Sequence, residues 1–147
     1  MRCSRPTVER RLKATYKELA EFQASSDVII ICVPLNPSTK NMVNGDFLRR
    51  CKRGVYIVNT ARGGIVSTSD MAESIRSGQV ESYGTDVYPD EPEIPQEFLA
   101  EDIRDRLSLL PHVGTETVDT QKSMEELTLR NIESALDHGK VLNPVPE

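Results

Sequence analysis

Residues 28–33 read VIIICV, a continuous run of β-branched and apolar side chains. A second run of this kind, VYIV, occupies residues 55–58, and weaker strand candidates follow at Ser82–Val87 and Leu107–Leu110. Continuous apolar strands are typical of parallel sheets that helices cover on both faces. Because helical stretches separate the four runs, the sequence predicts an α/β fold that contains part of an open parallel sheet.

Helices are predicted where apolar residues recur at helical spacing and a capping residue or a glycine marks an end. The four predicted helices are residues 12–23, a short helix capped by Asn44 and stopped at Arg53-Gly54, one capped by Ser67 or Ser69 and ended by Gly78, and an amphipathic helix at about 120–137 closed by Gly139. The segment from Pro89 to Pro95 holds three prolines and three acidic residues, which predicts a stiff surface loop.

The formal net charge is −5, from 18 basic and 23 acidic side chains. An acidic chain is not drawn to nucleic acid or to an anionic membrane surface, so we expect neither as a partner. The longest strongly apolar run, residues 28–35, is far shorter than the ~20 residues that span a bilayer. Since Met1–Pro6 leads into charged side chains and not into an apolar signal core, we expect a cytoplasmic protein.

The chain has three cysteines, Cys3, Cys32 and Cys51, at wide spacing. An odd number at this spacing fits neither a disulfide framework nor a zinc cluster. We therefore predict three reduced thiols and no metal site.

Three polar side chains follow successive predicted strands. Arg62 comes after the second strand, Glu91 after the third and His112 after the fourth. In open α/β sheets, ligands bind beyond the carboxyl ends of the strands, so these residues are expected at one edge. A guanidinium can hold a carboxylate by paired hydrogen bonds, and an imidazole supported by a carboxylate can exchange the proton of a carbinol near neutral pH. The trio therefore suits chemistry on a 2-oxo or 2-hydroxy acid.

Each of these residues also has an ordinary structural explanation. An arginine in a glycine-rich turn is usually a solvated surface charge, and a histidine beside a proline is more often structural. Asp86 can be a strand-end turn residue and Thr39 a helix cap. Only the shared position of Arg62, Glu91 and His112 after successive strands favours a functional role over these explanations.

Five segments in this order carry a family resemblance. They read SDVI at 26–29, PLNPST at 34–39, VNTARGGIV at 58–66, GTDVYPDEP at 84–92 and LPHVGT at 110–115. The chain resembles the NAD(P)-dependent D-2-hydroxyacid dehydrogenases over nearly its whole length from residue 27. Its C-terminal part looks most similar to the fungal glyoxylate and hydroxypyruvate reductases.

The resemblance implies a partial Rossmann-type parallel sheet with flanking helices and a long C-terminal helix. It implies that Arg62 orients the substrate, that His112 protonates the carbonyl oxygen and that Glu91 supports the histidine, while Asp86 hydrogen-bonds the nicotinamide carboxamide. The cofactor-binding residues it implies are Cys32, Val33, Pro34, Thr39, Asn59, Thr60, Ala61, Arg62, Asp86, His112 and Gly114. The implied ligands are NAD or NADP and a small 2-oxo or 2-hydroxy acid, and family members are expected to be homodimers.

The sequence contains no G-x-G-x-x-G segment, whose glycines let backbone amides approach a pyrophosphate. We interpret residues 1–147 as the C-terminal portion of a NAD(P)-binding domain that lacks the glycine-rich half and the substrate domain. Arg2 and Arg5 favour NADP, because an arginine near this strand end can bind a 2′-phosphate. Two functions stay open: hydride transfer between NAD(P)H and a 2-oxo acid, or a noncatalytic remnant or interaction module.

Overall fold

The chain divides into two compact units, Met1–Pro111 and His112–Glu147. The computed structural model describes residues 6–144. Arg2, Arg5 and Cys3 therefore lie outside the described residues. In the first unit the α-helices are α1 (Pro6–Leu12), α2 (Leu19–Ser25), α3 (Gly45–Arg49) and α4 (Thr68–Arg76), and the strands are β1 (Val28–Ile31), β2 (Val55–Asn59), β3 (Val80–Thr85) and β4 (Leu107–Leu109). The second unit contains α5 (Val118–His138).

The four strands form one parallel sheet in the order β1-β2-β3-β4. The predicted α/β class and parallel arrangement are confirmed. The last register pairs place Ile31 opposite Asn59, Asn59 opposite Thr85, and Thr85 opposite Leu109. All four strands therefore end at one level, which brings the loops that follow them to a common edge.

One face of the sheet forms the core of the first unit. Along β1 the side chains alternate, so that Ile29 and Ile31 are buried while Val28 is 53% and Ile30 is 59% exposed. Helix α4 packs on β3 and places Met71 and other apolar side chains in the core. The continuous apolar run at β1 predicted cover on both faces, whereas one of its faces is open.

The helix predicted for residues 12–23 is wrong. The chain instead forms α1 and α2, separated by residues 13–18. Lys13 has a φ of 52°, in the left-handed region that ends α1. Leu12 and Leu19, which suggested a continuous apolar stripe, are 64% and 54% exposed, so tertiary packing does not hold the stripe together.

Asn44, Gly78 and Gly139 mark helix ends as predicted, whereas Ser67 precedes α4 without a side-chain cap hydrogen bond and Ser69 lies inside that helix. The Asn44 Oδ1 atom accepts a hydrogen bond from the Phe47 amide at 3.0 Å and begins α3. Gly78 and Gly139 follow α4 and α5 with φ values of 70° and 64°, the left-handed conformation that glycine adopts most easily. Helix α3 ends earlier than predicted, and Gly54, at φ 78°, lies in the turn that enters β2.

No helix among residues 6–144 is both long enough and apolar enough to cross a membrane. The longest, α5, has 21 residues and carries many charged side chains. Over the same residues, no group of three or more histidine, cysteine or acidic side chains is placed to hold a metal ion.

Candidate active site

An open cleft of about 740 Å³ lies beyond the carboxyl ends of β1 and β2. Four residues that follow β1 and three that follow β2 line it: Cys32, Val33, Pro34, Leu35, Thr60, Ala61 and Arg62. Its walls combine apolar surface with one thiol, one hydroxyl and one guanidinium. The cleft is of the size and composition of small-molecule sites, and it lies at the edge where α/β sheets bind ligands.

The loop after β1 is shaped by its own polar side chains. The Thr39 hydroxyl donates to the Pro34 carbonyl at 2.7 Å and accepts the Asn36 amide at 2.8 Å. The Asn36 Oδ1 atom in turn accepts the Ser38 amide at 2.9 Å. Thr39 therefore supports the backbone behind Pro34 and is not among the residues that line the cleft.

The loop after β2 is held by Asn59. This side chain is fully buried; its Oδ1 atom accepts the Ala61 amide at 3.0 Å and its Nδ2 atom donates to the Arg62 carbonyl at 3.0 Å. Both ends of the Asn59 amide group are thus hydrogen-bonded to the backbone of Ala61 and Arg62. The sequence placed Asn59 among the cofactor-binding residues, and the structure places its side chain beneath that loop.

Arg62 has an exposed side chain on the wall of the cleft. Its backbone is extended, with φ −149° and ψ 143°, and its Nη1 atom donates to the Ala61 carbonyl at 2.6 Å. A guanidinium stays charged at every physiological pH and offers several donors in one plane. It can therefore bind an anionic oxygen pair at this wall and keep its own loop contact.

The loop after β3 carries Asp86 and Glu91. Asp86 is half-buried, and its amide donates to the Asn59 carbonyl at 3.2 Å. The Glu91 Oε1 atom accepts the Tyr88 amide at 2.9 Å, and the Tyr88 hydroxyl donates to the Leu110 carbonyl at 2.9 Å. Burial, followed by the charges of Asp86 and Glu91, raises the pKa of Tyr88 above its usual range, so this hydroxyl stays protonated and remains a donor.

Gly63 joins the Arg62 loop to the Glu91 loop. A Cβ atom at Gly63 would lie 2.0 Å from the Tyr88 carbonyl carbon, so the two backbones are in direct contact. Arg62 is the residue before this contact, and Tyr88 holds the Glu91 carboxylate on the other side. The structure therefore brings Arg62 and Glu91 to one edge of the first unit through interlocked loops.

His112 and Gly114 belong to the second unit, which begins at His112. His112 has an exposed side chain and a φ of 58°, unusual for a residue other than glycine. Gly114 is exposed two residues further on. Helix α5 follows, and the Thr117 Oγ1 atom caps it by accepting the Thr120 amide at 3.3 Å.

Residues 2–114 match the family described as D-isomer specific 2-hydroxyacid dehydrogenase, NAD binding domain. The chain belongs to this family. The resemblance read from the five segments is confirmed, and with it the Rossmann-type nature of the parallel sheet.

Two fungal relatives show the reach of the similarity. The chain is 41% identical to glyoxylate reductase 1 of Saccharomyces cerevisiae over 132 residues, which is 90% of this chain and 37% of the yeast protein. It is 40% identical to 4-methyl-2-oxopentanoate reductase A of Aspergillus oryzae over 144 residues, 98% of this chain and 43% of that protein. The chain thus spans about two fifths of the length of these relatives.

Solved structures agree with the fold. A glyoxylate reductase from Paecilomyes thermophila superposes with a TM-score of 0.90 at 39% identity, over 99% of this chain and 43% of that one. An NADPH-dependent glyoxylate/hydroxypyruvate reductase from Sinorhizobium meliloti, in complex with NADP and malonate, gives a TM-score of 0.80 at 29% identity over 90% of this chain and 40% of its own.

Sequence reasoning missed three residues of the site. Leu35 lines the cleft and lies inside the PLNPST segment, so its position after β1 could have indicated it. Thr85 and Tyr88 support the loops from within, and their only sequence signal was that they share the GTDVYPDEP segment with Asp86 and Glu91. Contacts between separate loops leave no periodic pattern in a sequence.

Proposed function

We propose that this chain supplies the cofactor-binding and catalytic side of a reductase that transfers hydride between NAD(P)H and a small 2-oxo acid of the glyoxylate or hydroxypyruvate type. The observation that carries the proposal is the guanidinium of Arg62 on the wall of a cleft at the carboxyl ends of β1 and β2. A fixed positive charge at that edge suits a substrate that is a small carboxylate. The printed activities of the relatives support the same substrate class.

The cleft fits part of a nicotinamide dinucleotide. Val33, Pro34 and Leu35 offer an apolar wall to a flat ring, and the Thr60 hydroxyl offers a polar contact to a sugar. Cys32 completes this wall, while Asp86, half-buried at the end of β3, is the proposed partner of the nicotinamide carboxamide. The G-x-G-x-x-G segment that would hold the pyrophosphate is not part of this sequence.

The proposed chemistry divides among three side chains. When bound, the reduced cofactor supplies a hydride to the carbonyl carbon. Arg62 binds and orients the 2-oxo acid through its carboxylate and carbonyl oxygens. His112 gives a proton to the carbonyl oxygen as it becomes a hydroxyl, and Glu91 supports the imidazolium and its tautomer. The role of His112 rests on its place in the LPHVGT segment, directly after β4 and Pro111.

NADP is the proposed cofactor in preference to NAD, and a homodimer is the proposed assembly. The NADP-bound S. meliloti reductase supports the first point. Arg2 and Arg5, which suggested NADP from the sequence, lie outside the described residues. Parallel titrations with NADH and NADPH and sedimentation of the purified chain test the two points.

Reductase activity is tested by following oxidation of NADPH and NADH by the 147-residue chain with glyoxylate or hydroxypyruvate. Arg62→Gln removes the charged donors, and hydrogen bonds to charged groups are worth about 1.5–3 kcal/mol, so kcat/KM should fall roughly 10- to 150-fold. His112→Ala should remove turnover. Arg49→Gln, at an exposed arginine of α3, is the matched control and should behave like the wild type.

The alternative is a noncatalytic remnant or interaction module. Under that reading the folded chain neither binds NADPH nor consumes it with either 2-oxo acid. Turnover that His112→Ala abolishes would exclude it.

A further inference from the structure

Two polar residues are buried side by side where β2 and β3 end. Asn59 and Thr85 are register partners, with 0% and 3% of their surfaces exposed. Burying polar groups is costly unless they are hydrogen-bonded, so such a pair at a strand end has to serve the backbone around it. Their neighbours show what they hold.

The Asn59 amide group holds the backbone on both sides of Arg62's peptide unit. It accepts the Ala61 amide and donates to the Arg62 carbonyl, each at 3.0 Å. The Arg62 carbonyl also accepts the Ile65 amide at 3.3 Å. A side chain that hydrogen-bonds both an N–H and a C=O of a three-residue turn restricts the backbone conformation of that turn. It thereby sets the direction in which the Arg62 side chain leaves the backbone.

Thr85 ties this turn to the loop that carries Glu91. Its hydroxyl donates to the Val87 carbonyl at 2.8 Å, accepts the Val87 amide at 3.2 Å and lies 3.3 Å from the Asn59 carbonyl oxygen. Burial raises the pKa of the Tyr83 hydroxyl, and the nearby side chains of Thr85 and Asn59 partly offset that rise. Asn59 and Thr85 thus form one hydrogen-bonded network with the backbone of the two loops.

We propose that Asn59 and Thr85 are positioning residues for the 2-oxo acid site, which act through the backbone of Arg62 and not by contact with cofactor or substrate. The inference rests on the proposed function only for what Arg62 binds; the network itself is independent of it. It assigns Asn59 a different part from the cofactor contact that the sequence indicated.

Asn59→Ala in the 147-residue chain is the primary test, with Asn44→Ala as the matched control. Asn44 makes the same kind of contact, Oδ1 to the Phe47 amide at 3.0 Å, in the same unit but at the start of α3. Asn59→Ala should speed amide exchange of Ala61 about fivefold, from the loss of one hydrogen bond, and shift the NMR signal of the Arg62 side-chain Nε–Hε group. Asn44→Ala should speed exchange of Phe47 and leave Ala61 and Arg62 unchanged.

The kinetic arm uses glyoxylate and NADPH. Displacing Arg62 by about 1 Å should lower kcat/KM for glyoxylate roughly 100-fold, while the Kd of NADPH stays near the wild-type value. If Asn44→Ala also lowers kcat/KM at an unchanged Kd of NADPH, the positioning role is overturned. It is also overturned if a folded Asn59→Ala chain leaves the amide exchange of Ala61 and the Arg62 signal unchanged. A wild-type chain without turnover would contradict only the proposed function, because the amide-exchange and NMR measurements still decide the role of Asn59.

A second pair of variants covers the case in which Asn59→Ala does not fold. Thr85→Val removes the hydroxyl at constant shape, whereas Thr85→Ser retains it. Thr85→Val should perturb the Arg62 signal and the amide of Val87, and Thr85→Ser should restore both. If the two variants behave alike, the hydroxyl has no positioning role.

Discussion

Replacing Gly63 with alanine directly perturbs the contact between the Arg62 loop and the Glu91 loop. A Cβ atom there would lie 2.0 Å from the Tyr88 carbonyl carbon, 2.3 Å from the Pro89 nitrogen and 2.4 Å from the Tyr88 oxygen. All three atoms belong to the backbone, so no side chain can rotate aside. One of the two loops has to retreat by more than an ångström to reach ordinary contact distances.

The expected loss of folding free energy lies at the upper end of the range for overpacked sites. Substitutions that side-chain and small backbone shifts can absorb cost about 1–3 kcal/mol. Because only backbone can move at Gly63, we expect about 3 kcal/mol or more, out of a total stability of roughly 5–15 kcal/mol for a domain. The variant should therefore lose a large part of its folding free energy.

The neighbouring glycine provides the control. At Gly64 a Cβ would meet only the end of the Leu35 side chain, at 3.3 Å and 3.6 Å, and that side chain is exposed and can shift. We expect a cost below about 1 kcal/mol, partly offset by the lower unfolded-state entropy of alanine. In urea, with an m-value of about 2 kcal/mol/M, the midpoint should fall by roughly 1.5 M for Gly63→Ala and by less than about 0.5 M for Gly64→Ala. Equal midpoints for the two variants would refute the close approach of the loops.

Three further predictions concern the rest of the first unit. Burial raises the pKa of Cys51 to about 11, so at mildly alkaline pH a thiol reagent should label exposed Cys32 first and Cys51 only on unfolding; equal rates in a peptide-mapped time course would contradict this. Arg76 hydrogen-bonds Asp102 and lowers the pKa of that carboxyl, so the pair's contribution to stability is present at neutral pH and is lost as pH falls through the lowered pKa. Asp102→Asn should flatten the acid limb of urea midpoint against pH, and an unchanged limb would exclude the pair. Met71→Ala empties a fully buried position and should cost about 2–5 kcal/mol in urea unfolding; a cost below about 1 kcal/mol would contradict its burial.

The sheet could be predicted because its signal is local. Apolar runs separated by helical segments determine both the α/β class and the parallel direction, since short crossovers of this kind return each strand in the same sense. The ends of the strands were harder to predict from the sequence. Cys32 and Val33 continue the apolar run of β1, yet pairing stops at Ile31 opposite Asn59, whose side chain hydrogen-bonds the backbone of the loop that leaves β2.

The helix predicted at residues 12–23 failed because tertiary packing does not support its local pattern. There the spacing of apolar side chains was helical, but α1 and α2 are short and Leu12 and Leu19 are largely exposed, so burial adds little. A short amphipathic stripe has only its intrinsic propensity to hold it where it is exposed, and that propensity is marginal in water.

The placement of Arg62 and Glu91 in the fold was predictable, whereas the contacts that support their loops were not. Parallel topology alone sends Arg62 and Glu91 to the same edge, as expected from their positions after β2 and β3. The contact of Gly63 with the Tyr88 backbone depends on how two loops approach in space. No spacing rule in the chain records that approach, so Tyr88 could only be found in the structure.

The distribution of buried polar groups separates stability from function in this fold. Within the described residues the centre of the sheet buries aliphatic and aromatic side chains, while Asn59 and Thr85 are the polar exceptions on its strands. Apolar residues at these two positions would serve the core as well as Ile57 does, but they would leave the amides and carbonyls of two departing loops without partners. The polar pair lets both strands end abruptly and hold their loops in place. Asn59 and Thr85 therefore hold the two loops that leave the sheet, and Asn59 holds the backbone of Arg62 in the first of them.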